Sequence, residues 1–81
     1  MVLQGEIDSA EALGGILQQG RLLSGMTQRE LAKRLGMSQR YIWEIESGKP
    51  SVLMSRLFAV MRETGVRLFA ELDDERDSVD G

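Results

Sequence analysis

Cysteine and histidine are both absent from the 81 residues. Their absence removes disulfides, thiol nucleophiles, the usual zinc sites and the commonest general base. Catalysis is left with little to work with, and neither a cofactor nor a metal is expected. Long apolar runs are missing too: the longest is Leu57-Phe58-Ala59-Val60-Met61, far short of a membrane span, and the amino terminus lacks the basic-then-apolar layout of a signal peptide. These absences predict a cytoplasmic protein with no membrane partner. Size sets a further bound. A chain this short buries only about 60% of its unfolded surface, so a monomer would be marginal and an oligomer is expected.

The net charge of −3 is unevenly spread. Residues 73–81 carry Asp73, Asp74, Glu75, Asp77 and Asp80 against Arg76, a net of −4. Residues 21–56 carry Arg21, Arg29, Lys33, Arg34, Arg40, Lys49 and Arg56 against Glu30, Glu44 and Glu46, a net of +4. The middle of the chain can therefore meet phosphate although the whole is acidic, while residues 73–81 read as a disordered, solubilising tail.

That basic stretch also has the densest local signals. Thr27 caps a helix, Glu30 completes a capping box, and Met26 and Leu31 occupy the positions of a hydrophobic staple. Leu31 and Leu35 share one face, and Gly36 ends the helix. Met37 then staples to Ile42 across a Ser38 cap, Ile45 extends the apolar side and Gly48 closes the second helix. Ala32 is small enough to let the two helices cross closely. Two short capped helices joined by a glycine turn make a helix-turn-helix. The outward face of its second helix carries Gln39, Arg40, Trp43, Glu44 and Ser47; Gln and Arg in a first turn can bond paired acceptors and donors on adenine and guanine edges in the major groove.

Elsewhere, Asp8 is expected to cap a helix reaching about Ser24, with Glu11 completing its box, Ile7 as staple and Leu13, Ile16 and Leu17 facing the core. Gly14, Gly15 and Gly20 each weaken that helix by up to about 1 kcal/mol relative to alanine, so it must lean on tertiary packing. After the Gly48-Lys49-Pro50 turn, Ser51 caps a helix of about residues 52–64, whose Leu57, Val60, Met61 and Thr64 are expected to close the bundle. Gly65 ends it, and the period changes: Val66, Leu68, Ala70 and Leu72 alternate with Arg67, Phe69 and Glu71, which reads as a strand. The only other strand signal is a weak one over residues 1–6, so pairing with the same strand of a second copy is expected, about a two-fold axis.

On these residues, Thr27-Gln28, Glu30-Leu31-Ala32, the Gly36 turn and Ser38-Gln39 through Ile42 to Ile45-Glu46-Ser47-Gly48-Lys49, the sequence resembles the lambda-repressor-like (XRE, Cro/cI type) helix-turn-helix domains over about residues 9–66. The resemblance implies that Gln28 bonds a phosphate and braces Gln39, that Gln39, Arg40 and Glu44 face bases, that Tyr41 and Lys49 touch the backbone, and that Arg21 and Glu46 form a partly buried ion pair. Trp43 stands where the family more often has a small or polar residue. The DNA-contacting set is thus Gln28, Ser38, Gln39, Arg40, Tyr41, Trp43, Glu44 and Lys49. A short terminal strand directly after such a domain further resembles antitoxins of HipB type, which implies dimerisation through Val66, Leu68, Phe69, Ala70 and Leu72 and a kinase-type toxin as partner.

The fold class expected is all-α: a lambda-repressor-like domain of four to five helices with a terminal strand for dimerisation. Its divisions are an amino-terminal arm (1–8), the helix-turn-helix domain (9–65), the dimerisation strand (66–72) and the acidic tail (73–81). The function expected is repression by a homodimer on double-stranded operator DNA, as the antitoxin of a toxin–antitoxin pair that regulates its own operon. A stand-alone XRE-type regulator and an interaction module that binds no DNA remain as alternatives.

Overall fold

The computed structural model describes residues 2–73. The chain runs β1 (Val2–Ile7), α1 (Ala10–Leu23), α2 (Gln28–Leu35), α3 (Gln39–Ser47), α4 (Val52–Thr64) and β2 (Leu68–Asp73). It is mostly helical, with one antiparallel two-stranded sheet among the described residues.

That sheet corrects three expectations. Residues 2–7 are not an arm but a strand, in register with the other from Val2 opposite Asp73 to Ile7 opposite Leu68. The carboxy-terminal strand therefore finds its partner within the chain, and an all-α class gives way to helices plus a hairpin-like pair joined through the whole domain. The strand also begins later than expected. Val66 lies outside it, because its N–H is used to close α4, donating to Met61 O at 3.0 Å beyond the left-handed Gly65; this is the six-to-one bond of a Schellman ending. Asp73 closes β2, and the rest of the acidic tail lies outside the described residues.

The sheet also moves the start of α1. Ile7 is 2% exposed, the most deeply buried large side chain described, and its pairing with Leu68 holds the backbone extended. Asp8 becomes the joint, and the cap falls to Ser9, whose Oγ accepts from Ala12 N at 3.1 Å. Neither the Asp8 cap nor the Ile7 staple forms.

The motif helices follow their local signals. Thr27 Oγ1 accepts from Glu30 N at 3.0 Å and Glu30 Oε1 accepts from Thr27 N at 2.9 Å, the reciprocal box. Ser38 Oγ accepts from Tyr41 N at 3.0 Å. Gly36 and Gly48 take φ of 68° and 71°, where a Cβ would be strained. Ala32 and Ile42 are buried at the α2–α3 crossing. Gly14 lets α1 lie on α3 with no room between: a Cβ there would fall 2.5 Å from Ile45 O and 2.6 Å from Glu46 O.

α4 turns differently from expectation. Phe58 is buried and Met54 and Met61 are half-buried, whereas Leu57 and Val60 are 48% and 58% exposed. Of the stripe expected to close the bundle, Met61 faces inward, while Leu57, Val60 and Thr64 point outward. No helix among the described residues is long and apolar enough to cross a membrane.

Candidate nucleic-acid interface

The second motif helix is held from behind by a buried charge cluster. Arg21 on α1 and Glu46 on α3 are 9% and 8% exposed. Arg21 Nε donates to Glu46 Oε2 at 2.6 Å and Nη2 to Oε1 at 3.0 Å, a two-pronged pair. The third guanidinium nitrogen, Nη1, donates to Met26 O at 2.8 Å, so the same side chain also ties down the turn before α2. Gln28 Nε2 donates to Glu46 Oε1 at 3.0 Å. The Arg21 hydrogen bonds hold the Glu46 carboxyl below its ordinary value of 4.5, with Gln28 acting in the same direction and burial opposing both. No buried side-chain nitrogen or oxygen among the described residues lacks a partner. α1, the α2 entry and α3 thus meet at one satisfied carboxylate.

In front of this anchor, the side chains divide into two groups. Gln28, Gln39, Arg40 and Trp43 line one open hollow at the start of α3. Arg40 and Trp43 project into solvent, and Gln39 is exposed beside them. The arrangement offers amide and guanidinium donors with an apolar ring one turn further along, the set needed to read base edges and a thymine methyl. In the free chain the Gln28 amide is engaged with Glu46 rather than bracing Gln39; this link was missed because sequence spacing does not show that two ends of different helices converge on one carboxylate.

Tyr41, Glu44 and Lys49 line a neighbouring hollow, shared with Leu13, Leu17 and Pro50. Glu44 stands between the groups. Its Oε1 lies 3.5 Å from Arg40 Nε and 3.4 Å from Lys49 Nζ, so it neutralises part of the positive surface of the helix. Ser38 has its hydroxyl occupied as the α3 cap, and Ser47 Oγ donates to Glu44 O at 2.9 Å.

The strand residues named for dimerisation sit apart from this face. Ala70 and Leu72 are half-buried, while Leu68 and Phe69 are exposed. Arg67, which sequence reading left without a role, donates from Nη2 to Glu6 Oε1 at 2.8 Å across the sheet and lies over the Phe69 ring at 5.2 Å. Only the strand at residues 2–7 makes that pair visible.

A family model described as helix-turn-helix matches residues 17–69, which takes in α2, α3, α4 and the second half of α1. No curated protein and no solved structure matches the chain.

Proposed function

The chain belongs to the helix-turn-helix family, a DNA-binding regulatory family of XRE type and not an enzyme family, and from that premise we propose that it is a transcriptional repressor that occupies operator DNA as a homodimer. One observation carries this reading: Gln28, Gln39, Arg40 and Trp43 converge on a solvent-open hollow at the first turn of a helix whose other side is fixed by a buried, fully bonded ion pair. Specificity needs base-reading groups at a set angle, and the anchor supplies the angle. Affinity comes from cations nearby, Arg29, Lys33, Arg34 and Lys49, which are exposed on or beside α2 and α3.

Two recognition helices are needed because one presents few contacts, so the operator is an inverted repeat with half-sites about one helical turn, roughly 34 Å, apart or a multiple of it. Selection from randomised duplexes, followed by footprinting and a promoter-reporter assay, tests this. A palindromic site whose occupancy silences the reporter is the expected result. Binding equal on all sequences would remove sequence-specific operator recognition, and no salt-dependent binding at all would leave only the interaction-module alternative.

The antitoxin role is a second reading. It rests on β2, whose outer edge, away from β1, is the edge a second copy or a toxin would meet. Co-purification with the product of the adjacent gene tests it, and a stand-alone regulator is the outcome if nothing is retained.

A further inference from the structure

Two apolar surfaces of this chain lie open to solvent, one a stripe along a helix and the other a groove. The first is a stripe on α4. Leu53, Leu57 and Val60 recur at i, i+4 and i+7 and are 75%, 48% and 58% exposed. At 3.6 residues per turn the stripe sits roughly a quarter-turn around the helix from Met54, Phe58 and Met61, the side that meets the rest of the chain. The second surface is a groove of about 500 Å³ between α1, α2 and α3, walled by Leu17, Leu31, Leu35, Met37 and Ile45 over a floor of Ile42, with Glu71 and Leu72 of β2 also on its lining. Leu17, Leu35 and Met37 remain 46%, 55% and 43% exposed. α4 of the same chain does not enter it.

Consistent with an interior left open, the radius of gyration is 14.4 Å, against about 12 Å for a compact domain of this length. Leucines and valines exposed to this degree on the stripe, in the groove and at Val52 present several hundred Å², on the order of the ~800 Å² that each partner contributes to a standard interface. Scattered single exposures are normal on a soluble domain, whereas these leucines and valines are grouped on two faces.

We propose that the two surfaces are halves of one interior, completed by a second copy of this chain: α4 of each protomer lies in the α1–α2–α3 groove of the other. The inference deepens the homodimer reading above and rests on it. Two-fold symmetry makes the contact twice, stripe in groove and groove around stripe, so the pair closes and leaves neither surface free; a one-way insertion would leave one of each at the ends and continue into a chain of copies. A dimer built through α4 against α4 would leave the groove open. The exchange also suits the DNA face. Ile42 and Ile45 line the groove from the side of α3 opposite Arg40 and Trp43, so filling it stiffens the recognition helix without covering it.

The chain has no cysteine, which makes cross-linking a clean test. Differently tagged chains carrying Leu35→Cys or Leu57→Cys, mixed and oxidised, should form the mixed disulfide dimer in high yield. Leu57→Glu should weaken dimerisation at least tenfold by sedimentation while helical circular dichroism is retained. The inference is overturned if the unmodified chain is a dimer and its Phe69→Cys variant links to its own counterpart, while the Leu35→Cys and Leu57→Cys chains do not link to each other. It is equally overturned if a chain bearing both cysteines closes on itself as a monomer. A cysteine-free chain that stays monomeric at high concentration instead removes the homodimer reading, and this inference with it.

Discussion

Arg21 and Glu46, 25 residues apart in sequence, share two hydrogen bonds of 2.6 and 3.0 Å in the interior and so fix the angle between α1 and the recognition helix. Removing either partner leaves the other charge desolvated and unpaired. Glu46→Ala should therefore destabilise the fold by a few kcal/mol, near the roughly 3–5 kcal/mol typical of a broken buried pair and well above the ~1 kcal/mol of an exposed one. Arg21→Ala should lose a similar amount, and the double variant less than the sum of the two. Thermal unfolding of all three gives the coupling; additive losses would mean that the pair is not an energetic unit.

The same carboxylate sets an acid limit. Arg21 and Gln28 lower the Glu46 pKa from its ordinary 4.5, the Thr27 backbone N–H does so for Glu30, and Arg67 for Glu6. A depressed folded-state pKa means that the unfolded chain binds protons more readily, so the stabilisation is complete above about pH 4.5 and is lost as pH falls through the lower folded values. Melting temperature followed from pH 6 downward should hold level and then fall below about pH 4.5. In Glu46→Gln the fall should be shallower, and the difference is the part contributed by the buried site.

Two adjacent glycines should respond in opposite directions. A methyl at Gly14 meets the backbone oxygens of Ile45 and Glu46 at 2.5 and 2.6 Å, and backbone cannot swing aside. Gly14→Ala should destabilise by roughly 1–3 kcal/mol as α1 is pushed off α3. Gly15 has nothing within 4 Å of the same position, so Gly15→Ala should stabilise by about 0.5–1 kcal/mol through helix propensity alone. Chemical denaturation of both variants decides, and a stable Gly14→Ala would show that the helices are not in close contact.

Local rules made most of the helical framework readable. The Thr27–Glu30 box, the Ser38 and Ser51 caps and the glycine stops at 36, 48 and 65 act within a few residues, so the chain states them directly. What escaped depends on distance in sequence. β1 is weak by itself and exists because β2 lies 61 or more residues away to pair with it; once formed, it shifts the α1 cap from Asp8 to Ser9 and explains Arg67 through Glu6. Likewise 54–58–61 and 53–57–60 are both apolar helical stripes, and periodicity alone cannot choose which faces inward. At the candidate site, residue types and spacing marked Gln39, Arg40 and Trp43, while the Gln28–Glu46 bond and the double pairing of Glu44 required the fold.

Glu44 should restrain DNA binding. It lies 3.5 Å from Arg40 Nε and 3.4 Å from Lys49 Nζ, engaging two cations of the candidate site and setting a negative charge beside them. Glu44→Gln should raise affinity for non-specific duplex DNA several-fold and steepen the salt dependence by about one released counterion. Titrations at a series of salt concentrations measure both. If affinity on the selected operator falls while random DNA is unaffected, Glu44 instead accepts a bond from a cytosine amino group.

Arg40 and Trp43 should divide the reading of the operator between them. They share the hollow with Gln28 and Gln39 and both project from α3, but one offers a fork of donors and the other an apolar ring. The fork matches the paired acceptors of guanine, so Arg40→Ala should cost on the order of 1–3 kcal/mol on the operator and relax preference at one base pair per half-site. An apolar ring in the major groove finds its match in the thymine methyl. Trp43→Ala should therefore lose affinity for the operator and, unlike the unaltered chain, no longer distinguish it from a duplex with deoxyuridine at the thymine positions of the half-site. Gel-shift titration of both proteins on both duplexes makes the comparison internal. Equal weakening by Arg40→Ala on operator and random DNA would reduce Arg40 to a phosphate contact, and an unaltered chain indifferent to deoxyuridine would remove the methyl from what Trp43 reads.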